Sequence, residues 1–289
     1  MTVIETHSPV SSPTASPQVR YALHRITDAE RPGFSPADYS RFKYGDGDVA
    51  VAFGRQLAAG FLERYAELLR EREEVVFVPP PFQAIPTAAH ALGEAFRQNV
   101  NDALYGMGKA SLLTSKIHRY KTYAADYGAM DAAQRLALIS ADAYHLDAAF
   151  LRDRLVVFLD DIRITGSHEL IIRRQLDRHG VEGDFVFVYF AALDNPDVHP
   201  DFENHLNYYA VDSPEAVAEL IGAGDFRLNT RVTKYILRLS ADEWAGLLGP
   251  TDAAFRRCLL SAAIANDYHL MKEYRDNVAR LHQLVHHGH

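Results

Sequence analysis

Val156-Val157-Phe158-Leu159-Asp160-Asp161-Ile162-Arg163-Ile164-Thr165-Gly166-Ser167-His168 is the stretch that decides the fold of this chain. Four apolar residues run into two adjacent carboxylates and then into a Thr-Gly-Ser turn. The apolar run has no polar alternation, as a strand covered on both faces requires. A helical pattern follows over about 169–179 and ends at Gly180, where a C-cap glycine belongs. The order is strand, acidic pair, turn, helix.

That order has a chemical logic. Carboxylates at the C-terminal end of a parallel strand stand at the mouth of the sheet, where ligands of α/β folds bind. They accept hydrogen bonds from sugar hydroxyls or from waters on a metal. A Thr-Gly-Ser turn that opens a helix can wrap an anion with backbone N–H groups and hydroxyls. Hydroxyl acceptors about one ribose away from a phosphate nest suggest a ribose 5-phosphate site.

The run resembles the signature of the type I phosphoribosyltransferases: an apolar strand, an acidic pair, spacer residues, Thr-Gly, then a small or hydroxyl residue. The resemblance implies an α/β fold with a mostly parallel sheet flanked by helices. It implies that Asp160 and Asp161 take the ribose hydroxyls of phosphoribosyl pyrophosphate, and water-mediated contacts to magnesium. Thr165, Gly166 and Ser167 would then take the 5-phosphate. Arg163 and Ile164 replace the more usual small or hydroxylated spacers, and His168 stands where many members have Thr. Other acidic-pair folds fit less well. A haloacid-dehalogenase-type phosphatase needs a second Asp two residues after the first, and position 162 is Ile. A receiver domain puts its acidic pair near its start and has no glycine turn for a phosphate.

Upstream, Val75-Val76-Phe77-Val78 is a second uninterrupted apolar strand, followed by a proline-rich turn and a helix to about Leu104. In the family the loop after this strand grips pyrophosphate, which implies that role for Pro81, Phe82 and Gln83. Prolines preset a turn but supply no N–H, so the amides of Phe82, Gln83 and Ala84 would do the gripping. A plain strand-to-helix connection is the alternative. Lys116, His118, Arg119 and Lys121 form a cationic cluster between the two strands. In the family a catalytic loop occupies this place, and Lys116, Arg119 and Lys121 would stabilise the departing pyrophosphate; otherwise the cluster is a solvated face. A helix with a polar break is expected over 131–154. The ordering of these segments looks like the ComF-like branch, some members of which are associated with bacterial tellurium-resistance and stress gene clusters.

Further out, 1–18 is rich in Ser, Thr and Pro and reads as a disordered tail. A short strand is expected over 21–26. An aromatic and cationic run from Tyr39 to Asp48 precedes a helix over about 48–72. This run reads either as core packing or as a hood whose rings cover a base while Arg41 or Lys43 meets a phosphate. Downstream, 185–193 is a third apolar strand, 205–211 reads as an edge strand, and helices are expected over about 213–222, 229–239 and 251–284. Ser240, Asp242 and Thr251 are candidate caps or first-turn residues. The chain therefore divides into a tail (1–18), a hood and helix segment (19–74), a core (75–211) and a helical C-terminal extension (212–289). That extension could complete an acceptor pocket, form a dimer face or cover the sheet; covering the sheet together with a homodimer contact is the favoured expectation. The terminal His286, His287 and His289 read as a frayed tail.

Composition sets the bounds. The 289 residues are 48% hydrophobic and 24% charged, ordinary for a globular protein. A net charge of −8 argues against a nucleic-acid partner. The single cysteine, Cys258, fits a reducing cytoplasm. No apolar run approaches the roughly 20 residues of a membrane span, and the N-terminus lacks the pattern of a secretory signal. There is no dinucleotide fingerprint, Walker loop, zinc spacing or Gly-x-Ser-x-Gly elbow. The resemblance implies a pentosyltransferase that joins a small-molecule acceptor to the ribose with loss of pyrophosphate. A sensor that binds the same donor without turnover, and a reverse-type cleavage by phosphate or pyrophosphate, stay open.

Overall fold

The computed structural model describes residues 19–119 and 144–287. The expected tail over 1–18, Lys121, most of the helix expected over 131–154, and His289 lie outside the described residues. The apolar runs are strands: β1 (Val19–Ile26), β2 (Val75–Val78), β6 (Leu155–Arg163) and β7 (Asp184–Leu193). With the short β3 (Leu113–Thr114) they form one sheet in the order β1-β7-β6-β2-β3, every neighbouring pair parallel. A separate antiparallel pair joins β4 (His118–Arg119) to β5 (Tyr144–His145).

The central strands are apolar throughout because helices cover both faces. On one face Leu155, Val157 and Leu159 pack with Phe77 and Val188 against α2 (Gly47–Glu71) and α3 (Ala88–Gly106). On the other, Val156 and Phe158 meet Ile171 and Leu176 of α5 (Ser167–Arg178). A Cβ on Gly54 of α2 would collide with the Leu92 carbonyl of α3, so this glycine lets the two helices approach closely.

Before α2 lies α1 (Pro36–Lys43), capped by Ser35, whose side chain accepts from the Asp38 amide. The expected hood residues Tyr39 and Phe42 are buried in the sheet-side core, so core packing is the reading that holds for them. Buried Ser40 donates to the Asn207 carbonyl and accepts from the Ala210 and Val211 amides. It thereby ties α1 to α6 (Phe202–Asn207). This helix corrects the edge strand expected over 205–211. Tyr208, Tyr209 and Val211 carry strand propensity, but no sheet edge is offered to them and they follow the helix as irregular chain.

The described part of 131–154 is likewise not one helix. It holds β5 and the four-residue α4 (Ala148–Leu151), started by Asp147, whose carboxylate accepts from Phe150 N. The remaining helices are α7 (Pro214–Gly222), α8 (Thr230–Arg238), α9 (Ala241–Leu248), α10 (Ala253–Ala265) and α11 (Arg275–His287). They build their own core around Val232, Ile236, Trp244, Leu259, Tyr268 and Leu281. Ser240 and Glu243 close a capping box on α9, while Asp252, rather than Thr251, caps α10. The long helix expected over 251–284 is broken at Asn266 and Asp267. Asp267 takes φ +59, and the Asn266 side chain accepts from the Ala84 and Ile85 amides at 3.0 and 3.1 Å.

Candidate functional site

A cavity of about 520 Å³ opens at the C-terminal ends of β2 and β6. The chain turns one way from β6 to β7 and the other way from β2 to β3, so the cavity lies at a switch point of the sheet. Its floor is the whole stretch from Asp160 to Glu169.

Strand alternation sends the two carboxylates to opposite faces. Asp161 continues the row of Leu155, Val157 and Leu159, on the side of α1. There its Oδ2 accepts from the Tyr39 hydroxyl at 2.9 Å and from Lys43 Nζ at 2.5 Å. Asp160 continues the row of Val156 and Phe158, on the side of α5, and its Oδ2 lies 3.1 Å from His168 Nδ1. Its Oδ1 accepts from the Asp161 amide at 2.9 Å. The pair is thus one backbone unit with each acid bonded to its own helix.

These neighbours separate the two acids electrostatically. Burial works to raise the Asp161 pKa, but the Lys43 ammonium and the hydrogen bonds outweigh it and hold the carboxyl at about 2. Burial raises Asp160, with help from the Asp161 charge and against the His168 hydrogen bond. Burial works to lower His168, and its bond to Asp160 raises it above the ordinary histidine value.

The turn is built as a nest. Gly166 takes φ +74, a left-handed conformation that a side chain strains, and it N-caps α5 without a capping side chain. Thr165 Oγ1 and Ser167 Oγ are 2.7 Å apart. The Ser167 amide makes only a long 3.4 Å contact to Thr165 Oγ1, at a helix start whose first-turn N–H groups have no intrahelical partner and face where an anion would bind. A Cβ on Gly166 would lie 2.9 Å from Arg163 Nη2, which puts that guanidinium directly beside the turn. Behind it sits buried Glu169. Its carboxylate accepts from Arg20 at 2.8 Å, Arg173 at 2.7 Å and the Tyr189 hydroxyl at 3.0 Å, with Arg163 at 3.4 Å. Burial works to raise the Glu169 pKa, but the Arg20 and Arg173 hydrogen bonds lower it.

The remaining expected residues divide. Pro81 and Arg119 line the cavity; Lys116, Phe82 and Gln83 are not among its lining residues. Lys116 Nζ sits 3.7 Å over the Phe82 ring and 3.4 Å from the Gln83 carbonyl, and burial lowers its pKa. The Gln83 side chain reaches Asp267 at 3.4 Å, and the Ala84 amide, expected to grip an anion, is bonded to Asn266. Arg41 pairs with Asp46 rather than with the cavity floor. Sequence reasoning missed Lys43 as the partner of Asp161, the Glu169 cluster, and the place of α8, a helix expected over 229–239, which brings Arg231, Lys234, Tyr235 and Arg238 to the cavity wall. The 3- and 4-residue spacing of those cations was visible, but not that the helix would bring them to the cavity.

A family model described as PRTase ComF-like matches residues 18–281. No curated protein matches. Among solved structures, a hypoxanthine-guanine phosphoribosyltransferase from Bacillus anthracis is similar at 12% identity. That match covers 53% of this chain and 82% of that one, with a TM-score of 0.29. A hypoxanthine phosphoribosyltransferase from Staphylococcus aureus is similar at 10% identity over 53% of this chain and 77% of that one, again at 0.29.

Proposed function

The chain belongs to the PRTase ComF-like family, and from that premise we propose that it is a phosphoribosyltransferase acting on phosphoribosyl pyrophosphate and a small-molecule acceptor. One observation carries the proposal: the Thr165-Gly166-Ser167 nest and the Asp160-Asp161 pair share one cavity at the sheet end. The 5-phosphate sits on the first turn of α5, with Arg163 as counter-charge. Asp160 and the free side of Asp161 accept the ribose hydroxyls. Arg119, which lines the same cavity, faces the leaving pyrophosphate. The bond from ribose C1 to the pyrophosphate oxygen breaks, and its electron pair leaves with pyrophosphate. A lone pair on the acceptor forms the new bond to C1, and the acceptor proton passes to solvent. The protein contributes position and charge rather than covalent chemistry.

Among the described residues no group of three or more His, Cys, Asp or Glu side chains is arranged to hold a metal. The acidic pair fits a magnesium ion that keeps the donor's oxygens and water as inner ligands, with Asp160 and Asp161 accepting from those waters. Bound there, magnesium would neutralise charge on the pyrophosphate.

The proposal extends to a cytoplasmic protein without nucleic-acid or membrane partners, with the four-part division above, a homodimer through the C-terminal helices, and a role near tellurium-resistance and stress genes. Its support is the net charge of −8 and the single Cys258; among the described residues no helix is long and apolar enough to cross a membrane. Within the division, β1 pairs with β7, so residues 19–26 contribute to the core sheet.

The hold of Lys43 and Tyr39 on Asp161 favours a second reading, a sensor that binds the donor without turnover. Calorimetry with phosphoribosyl pyrophosphate and magnesium tests donor binding, and pyrophosphate release separates enzyme from sensor. Asp160→Asn with Asp161→Asn should weaken donor binding by roughly ten- to a hundredfold, the value of hydrogen bonds to charged groups. Unchanged affinity in that double variant removes the donor reading.

A further inference from the structure

Behind the phosphate nest lies a charged cluster that the chemistry proposed above leaves unused. Its centre is Glu169, in the first turn of α5, which is 3% exposed and borders the cavity. A carboxylate this deep persists in a fold where partners answer its charge. Here they come from three strands and the helix itself. β1 supplies Arg20 and β7 supplies Tyr189, on the sheet face that α5 covers. Arg173, one turn along α5, lies 4.3 Å over the Phe187 ring of β7. β6 ends in Arg163.

The four donors are not equivalent. Glu169 Oε1 accepts from Arg20 Nε at 2.8 Å and from Arg173 Nε at 2.7 Å. Oε2 accepts from Arg20 Nε at 2.9 Å and from the Tyr189 hydroxyl at 3.0 Å. Arg163 Nε stands 3.4 Å from Oε2, an ion pair longer than an ordinary hydrogen bond. The Arg163 guanidinium is packed instead on Gly166: a Cβ there would lie 2.9, 3.2 and 3.3 Å from Nη2, Nε and Cζ. Glycine at 166 thus leaves room for the guanidinium as well as permitting the left-handed turn. Arg163 lines the cavity, whereas Arg20 and Arg173 are not among its lining residues. Three guanidiniums around one carboxylate leave two positive charges beside the nest, and Arg163 is the one that presents them to a ligand.

Resting on the donor reading above, we infer that Glu169 and Arg20 are positioning residues of the 5-phosphate site, and that the group they select is a phosphate dianion. Glu169 holds the Arg163 guanidinium across Gly166 and towards the nest. Arg20 occupies both Glu169 oxygens, so the acid does not draw Arg163 into a closer bond and away from the ligand. The dianion then takes the Arg163 fork and the first turn of α5 together. Arg20 acts without touching it.

A positioning role and a plain charge field predict opposite signs. Glu169→Gln deletes a negative charge beside the nest, so a field alone would tighten anion binding, while loss of aim weakens it. Ribose 5-phosphate and ribose 5-sulfate, a dianion and its monoanionic isostere at pH 8, are titrated calorimetrically into the full chain. The unaltered chain should bind the phosphate at least tenfold more tightly than the sulfate. Glu169→Gln should weaken ribose 5-phosphate about tenfold, as loss of a charge-assisted hydrogen bond does. Arg20→Gln, at a half-exposed side chain, should weaken it about threefold, the value of an exposed ion pair. Both variants should erode the preference for phosphate. Near-ultraviolet circular dichroism checks that each variant is folded, and Arg20→Gln decides alone should Glu169→Gln not fold. Unchanged or tighter binding in Glu169→Gln, a preference untouched by Arg20→Gln, or no preference in the unaltered chain overturns the inference while sugar-phosphate binding stands. Failure of the unaltered chain to bind either ester overturns the donor reading beneath it as well.

Discussion

Replacing Lys43 by Met tests the electrostatics of the acidic pair most directly. Both partners are nearly enclosed, with side-chain exposures of 12% for Lys43 and 8% for Asp161. Asp161 falls from the usual carboxylate value of 3.8 to about 2. At 1.36 kcal/mol per unit, that shift corresponds to about 2.5 kcal/mol of stability at neutral pH. Removing one partner of a buried pair costs ~3–5 kcal/mol. The Tyr39 hydroxyl still donates to Asp161, so the low end applies, ~3 kcal/mol. The expected fall in melting temperature is about 6–12 °C for a chain of this size. The sign with pH follows from the depressed value. In the unaltered chain the contribution is full above 3.8 and is lost as pH falls through about 2. Without Lys43, burial raises the Asp161 carboxyl, which takes up a proton in mild acid and relieves the unpaired charge. The gap between the two proteins, read by urea unfolding, should therefore be smaller at pH 4 than at pH 8. A gap under about 0.5 kcal/mol, the scatter of ordinary surface substitutions, or one constant across that range, refutes the reasoning.

Gly166→Val forces a β-branched residue into φ +74 and against the Arg163 guanidinium; donor binding should be abolished at a stability cost of about 1–3 kcal/mol, and normal turnover would show that the turn holds no phosphate. Glu169→Gln leaves three arginines facing a neutral amide and should cost ~2–3 kcal/mol at pH 7. Because the Glu169 carboxyl is lowered, this cost is present above the ordinary carboxylate range and fades as pH falls through the lowered value, which thermal melts across pH would display. Arg119→Ala should slow pyrophosphate release at least tenfold, whereas Lys116→Ala, whose ammonium rests on the Phe82 ring, should change it less than twofold. Equal losses in single-turnover assays would put both cations on the leaving group.

The strands β2, β6 and β7 were legible because helices on both faces leave an uninterrupted apolar run. The same rule misled at 205–211, where aromatic and β-branched residues surround a helix and its irregular exit. Tyr208 and Tyr209 are 41% and 52% exposed, so their side chains answer to the cavity rim and solvent rather than to a sheet. The acids and the turn were legible because they are contiguous. The pairing of Lys43 with Asp161 and the places of Asn207 and α8 in the cavity lining were not, because each depends on the packing of the C-terminal core onto α1 and the sheet. The break at Asn266 was hidden for a similar reason: its side chain serves two amides about 180 residues earlier.

The sheet order carries a consequence for biosynthesis. Val19 opposes Val186, so β1 leaves the ribosome 167 residues ahead of its one sheet neighbour among the described residues. At elongation rates of about 5–20 residues per second, that interval is roughly ten to thirty seconds. During it Tyr21, Leu23 and Ile26 have no sheet to join, while β2 can already begin to engage α2 and α3. The nascent chain can thus pack β2 onto its helices before β1 gains its place in the sheet, and β1 stays an unpaired, aggregation-exposed strand until β7 is made.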